Sequence, residues 1–66
     1  MRVTINGKEE TLDDGLTVAG LLRQLDVEPM RVAIEINKDL TPRSTFDTTV
    51  IQAGDKLEIV TFVGGG

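Results

Sequence analysis

The sequence predicts an α+β fold: a small mixed sheet packed on one main helix. Three observations carry that expectation. An alternating segment at the start, "RVTING", runs into the dipeptide Asn6-Gly7. A single stretch, Val18 to Leu25, has the spacing of an amphipathic helix. Two further alternating segments, "RVAIEIN" and "KLEIVTF", follow it.

In the first segment Val3 and Ile5 alternate with Arg2 and Thr4, so one face is buried and the other wet. Asn6-Gly7 is a strong hairpin signal, because a type I′ turn needs positive φ at both central residues. A returning strand is expected over Lys8 to Leu12. Its polar sequence suits an edge, where charge discourages association with other chains. "DDGLT" then reads as a loop, with Thr17 as a helix N-cap.

Val18, Leu21, Leu22 and Leu25 repeat at i, i+3, i+4 and i+7, one face of a helix that should end near Asp26. Pro29 bars continuation. Gly20 inside the helix costs about 1 kcal/mol relative to alanine unless something packs close to it. A helix of about nine residues is too short to stand alone, so tertiary packing must hold it.

Val32, Ile34 and Ile36 form the inward face of the clearest strand, with Ala33 and Glu35 outward. "NKD" marks a turn. The stretch "LTPRSTFDTTVIQAGD" reads as mostly irregular. Pro42 permits at most an edge strand there. Val50 and Ile51 are expected to tuck under the core, and Ala53-Gly54-Asp55 to turn. In the last strand Leu57, Ile59 and Thr61 share one face, with Leu57 and Ile59 in the core. Glu58, Val60 and Phe62 share the other. Hairpin, helix, strand, irregular segment, strand is the order of a β-grasp, or ubiquitin-like, fold. Its first and last strands should lie parallel, side by side, in the sheet centre. Residues 1–63 are read as that single domain and 64–66 as a flexible tail.

Composition narrows the function. The chain has 66 residues and contains neither cysteine nor histidine. Disulfides, thiolate sites and thiol nucleophiles are excluded, and so are the commonest metal ligand and the usual general base near neutral pH. A net charge of −4 opposes nucleic-acid binding and favours a basic protein partner. No apolar run approaches the roughly 20 residues of a membrane span, and the N-terminal "MRVTING" carries no signal-type apolar stretch. A cytoplasmic location is the expectation.

Chemistry then falls to the tail. Val60, Phe62 and Val63 are candidate partner-binding residues, since two bulky apolar side chains face outward just before the glycines. Gly64, Gly65 and Gly66 have no side chains and fit a narrow channel. The four residues after Phe62 extend at most roughly 13–14 Å. A C-terminal carboxylate ionises with a pKa of roughly 3.3–3.7, so it is a poor electrophile unless activated. Attack on the α-phosphate of ATP, giving an acyl-adenylate, is the natural route. The chain has no phosphate-cradling loop, because "GKEET" follows a hairpin turn instead of joining a strand to a helix. A separate enzyme must therefore activate it.

The ending "GDKLEIVTFVGGG", with "TING", "TVAGLL" and "AIEIN…PR", resembles the thiamine-biosynthesis sulfur carrier family (ThiS) over nearly the whole chain. The resemblance implies a carrier, not an enzyme. Gly66 would be adenylated by a ubiquitin-activating-like adenylyltransferase, with ATP bound by that partner and no cofactor bound by this chain. Sulfur-relay proteins would convert Gly66 to a thiocarboxylate. A thiazole synthase would then take the sulfur for the thiazole ring of thiamine. Thr41, before Pro42-Arg43, departs from the apolar residue usual in the family, and Arg43 is either structural or partner-facing. The residues also admit three other functions: the sulfur-carrying small subunit of molybdopterin synthase, a ubiquitin-like modifier, or a binding module with an inert tail.

Overall fold

A computed structural model describes residues 1–62 of the chain. Five strands form one sheet: β1 (Arg2–Ile5), β2 (Lys8–Thr11), β3 (Val32–Ile36), β4 (Asp39–Thr41) and β5 (Lys56–Thr61). One α-helix, α1 (Val18–Gln24), lies between β2 and β3. Short 3-10 turns occupy Pro29–Arg31 and Arg43–Thr45. The sheet order is β2-β1-β5-β3-β4, so β5, last in sequence, is central in space. It runs parallel to β1 and antiparallel to β3. This is the β-grasp arrangement.

The first hairpin closes as expected. Asn6 and Gly7 have φ of 51° and 81°, and the pairing puts Ile5 opposite Lys8. Leu12, expected in the second strand, lies just past its end, half-buried against the core. The β3–β4 connection repeats the device, with φ of 53° at Asn37 and 72° at Lys38. Asparagine tolerates the left-handed region better than most residues, which is why it recurs at both turns.

Both asparagines also use their side chains on β5. The Asn6 amide accepts from Ile59 N–H at 2.8 Å and donates to the Ile59 carbonyl at 3.2 Å. On the other side of β5, Asn37 Oδ1 accepts from Lys56 N–H at 3.0 Å, and Asn37 Nδ2 donates to Asp55 Oδ1 at 3.1 Å. Asn6 continues, by side chain, a pairing that β1 can no longer supply once its backbone turns away.

The seven-residue α1 has its first N–H groups satisfied, although a helix start ordinarily leaves four orphans. Gly20 N–H donates to the Thr17 hydroxyl at 3.1 Å, as the N-cap assignment requires. The N–H groups of Val18 and Ala19 donate to the carbonyls of Thr49 and Phe46, each at 3.0 Å. The irregular segment 42–55 therefore caps the helix. An added Cβ at Gly20 would stand 2.8 Å from Leu16 Cδ1, so a neighbour does pack close to this glycine.

The helix stops at Gln24, short of the expected Asp26. Asp26 takes φ of 56°, and its N–H and that of Val27 donate back to Arg23 and Leu22 at 3.1 and 3.0 Å. That pair of bonds is a Schellman turn, with aspartate where glycine is commoner. Leu25, assigned to the buried face by its spacing, is instead 47% exposed. It stands at the C-cap, where the chain has begun to unwind from the core face.

The core joins Val18, Leu21 and Leu22 of the helix to Val3, Val32, Ile34 and Leu57 of the sheet. Ile51 closes it below, as expected. Val50 does not tuck in: it is 43% exposed, its backbone engaged in an isolated bridge with Thr17. Adjacent residues in extended backbone point to opposite sides, so only one of the two can be buried. Phe46 is also core, 4% exposed, and no periodicity marked it because it follows a 3-10 turn.

Asn6→Gly keeps the turn conformation and removes both side-chain bonds to Ile59. It should lower unfolding free energy by about 1–2 kcal/mol in urea titrations. A variant as stable as the parent would show that the bridge contributes nothing.

Candidate functional site

β5 leads the chain toward its glycine end, so its setting fixes what can happen there. Leu57 points into the core at 1% exposure and Ile59 is half-buried. Val60 and Phe62, on the opposite face, are 55% and 54% exposed. The last hydrogen bond along this edge among the described residues is from Phe62 N–H to the Arg31 carbonyl, at 2.7 Å. Val63, Gly64, Gly65 and Gly66 lie outside the described residues.

Strand register shows what accompanies Val60 and Phe62. Ala33 of β3 is opposite Val60, and Glu35 is opposite Glu58. Leu40 of β4 is opposite Glu35. Directly opposed residues share a sheet face, so Ala33, Leu40 and Val60 belong to one outer surface, with Phe62 two residues beyond Val60. Leu40 is 68% exposed. Its place was not legible in the sequence, because its segment reads as irregular and only the pairing with β3 gives it a face. Ala33, expected to face out, is half-buried and lines a surface cavity of about 190 Å³ with Leu40, Pro42 and Phe46.

Arg43 borders the same cavity, but its guanidinium is engaged. Nε donates to the Pro29 carbonyl at 2.8 Å and Nη2 to the Val32 carbonyl at 3.1 Å. The side chain ties the 3-10 turn to the start of β3, which is a structural role. Thr41 ends β4 opposite Ile34, half-buried, and β4 forms with threonine there. β4, an edge strand, ends just before Pro42, which has no N–H to donate to a ladder.

Side-chain chemistry is sparse. Among the described residues no polar or charged side chain is buried, and no group of three or more acidic side chains could hold a metal ion. Among the described residues no helix is long and apolar enough to cross a membrane.

Comparison with known proteins agrees with this architecture. The profile of the ThiS family matches residues 3–66. The chain belongs to the ThiS family. It is 30% identical over 66 residues to the sulfur carrier protein ThiS of Escherichia coli (strain K12), covering all of both chains. A crystal structure of the thiamine biosynthesis protein (ThiS) from Geobacter metallireducens superposes with a TM-score of 0.84 at 39% identity, again covering all of both. The chain is also 42% identical over its whole length to part of a thiazole synthase from Paramagnetospirillum magneticum, spanning 20% of that protein. The ThiS match covers the sheet, the helix and the three glycines alike.

Phe62 and Leu57 give a direct contrast on one strand. Phe62→Ala should change unfolding free energy by less than about 1 kcal/mol, since half its surface is already in water. Leu57→Ala should cost about 2–5 kcal/mol. Thermal melts of the two variants check this; equal losses would place Phe62 in the core.

Proposed function

We propose that this ThiS-family chain is a sulfur carrier in thiamine biosynthesis and is itself a protein cosubstrate, not a catalyst. The supporting observation is that the family match runs through the glycine segment to residue 66. The E. coli relative is named as a sulfur carrier, and the P. magneticum relative, a thiazole synthase, contains a segment like this chain. Location in the cytoplasm follows as part of the same reading.

The chemistry is confined to the terminal carboxylate. An oxygen of Gly66 attacks the α-phosphorus of ATP, and pyrophosphate leaves. The acyl-adenylate carbon is then attacked by the terminal sulfur of a relay persulfide, a C–S bond forms, and AMP departs as the C–O bond breaks. A thiol next attacks the relay sulfur, so the S–S bond to the carrier breaks and the relay leaves as a disulfide with that thiol. The product is a thiocarboxylate. ATP is held by a ubiquitin-activating-like adenylyltransferase, and sulfur arrives through relay proteins. A thiazole synthase accepts the sulfur afterwards.

This division of labour fits a chain without cysteine or histidine. The sulfur rides on the main-chain terminus, so no side-chain thiol is needed. Val60 and Phe62 supply an apolar anchor for the enzymes that handle the tail, and Val63 extends it. Gly64 and Gly65 let the carboxylate enter a channel too narrow for side chains. Ordering each backbone residue there costs about 1–2 kcal/mol, which the anchor must offset.

Incubation with the adenylyltransferase, ATP and a sulfur source should raise the intact mass by the difference between sulfur and oxygen. A chain lacking Gly65 and Gly66 should fold normally and show neither the mass gain nor ATP–pyrophosphate exchange. A truncated chain that still gained sulfur would refute the terminal-carboxylate mechanism. A deletion strain should require thiamine for growth.

A further inference from the structure

We propose that Asn6 is a latent modification site, kept from deamidation by its grip on β5 and reactive when that strand releases. The site stands apart from the glycine end, and its reactivity does not depend on the carrier reading.

Asparagine followed by glycine is open to an intramolecular reaction. The Gly7 backbone nitrogen, once deprotonated, attacks Cγ of Asn6. A C–N bond forms, the bond from Cγ to Nδ2 breaks, and Nδ2 takes a proton from water and leaves as ammonia. Water then opens the five-membered imide at either carbonyl. One opening gives aspartate; the other gives isoaspartate, with one more methylene in the main chain. Glycine has no side chain to shield the attacking nitrogen. Gly7 is exposed, and apart from its chain neighbours no heavy atom lies within 4 Å of where a Cβ would stand. The other asparagine, Asn37, is followed by Lys38, whose side chain crowds the corresponding nitrogen.

Folding restrains this reaction. Both polar atoms of the Asn6 carboxamide are held by Ile59, 53 positions away: Oδ1 accepts from its N–H at 2.8 Å, and Nδ2 donates to its carbonyl at 3.2 Å. To reach the Gly7 nitrogen, Cγ must swing away from β5, and both bonds break. Release of β5 breaks the same two bonds, so freedom of the strand and reactivity of Asn6 go together. The product does not restore the grip. Aspartate has no donor for the Ile59 carbonyl and sets an anionic oxygen where Nδ2 stood. Isoaspartate lengthens a two-residue turn whose register pairs Ile5 with Lys8. A transient release of β5 is thereby made permanent in the strand that leads to Val60 and Phe62.

The test incubates the full chain in mildly alkaline buffer, with and without denaturing guanidinium chloride, at one pH and temperature. Intact mass and peptide mapping follow the exchange of amide for acid at residue 6. Isomerisation at Asp14-Gly15 adds no mass and is not counted. In denaturant Asn6 should convert steadily, and Asn37 far more slowly. In buffer alone conversion at Asn6 should be about tenfold slower or more, the factor that two ordinary hydrogen bonds supply. Leu57→Ala, which weakens the seating of β5, should speed the reaction in buffer toward the denaturant rate, whether or not that variant folds. Chains converted in denaturant and returned to buffer should melt roughly 4–8 °C below the parent. Equal rates with and without denaturant overturn protection by β5. An Asn6 no faster than Asn37 in denaturant overturns the site itself. Converted chains that melt with the parent overturn the permanence of the change.

Discussion

The fold depends on one pairing: β5, last in sequence, inserted between β1 and β3. The contact of β1 with β5 joins residues more than fifty positions apart, with Thr4 beside Lys56 and Ile5 beside Leu57. Without it the first hairpin would be a two-stranded ribbon, marginal in water by itself. With it, one sheet presents a continuous apolar face to α1. The ladder between β1 and β5 is short, and Asn6 and Asn37 compensate with side-chain bonds to the β5 region from both flanks. Loop closure over such separations is costly, so these local braces matter more than their number suggests.

The same strand determines which way Val60 and Phe62 face. The ladder with β3, continued by the Phe62 bond to Arg31, fixes which face each of Leu57, Ile59, Val60 and Phe62 takes relative to the core. Burial of Leu57 obliges Val60 and Phe62 to face water. The carrier reading proposed above would use the rigid sheet as a platform and the exposed Val60 and Phe62 as an apolar handle. Stability and presentation are therefore one problem, solved by one strand. The helix contributes only to the platform, and its start is capped by carbonyls of the irregular segment.

The outer sheet face departs from what folding alone would favour. Leu40, Val60 and Phe62 leave apolar surface in water, and Glu35 stands directly opposite Glu58 beside them. Sheet stability alone would favour polar residues of mixed sign there. Sites that break local rules in this way are where interaction is expected. The inner face, by contrast, follows the rules of packing throughout.

Much of this was legible in the sequence. Period-two alternation located β1, β3 and β5, and Asn6-Gly7 located the first hairpin. Thr17 located the helix start, because these signals depend only on nearest neighbours in the chain. The absence of cysteine and histidine, with the terminal glycines, directed attention to the tail. Tertiary structure alone decided the remainder. It placed Phe46 in the core from a segment without periodicity. It chose Ile51 over Val50, and turned Leu25 out at a Schellman turn whose aspartate is no standard signal. It also gave Leu40, Glu35 and Glu58 a common surface, since cross-strand neighbours come from register, and register is set by which faces must be buried together.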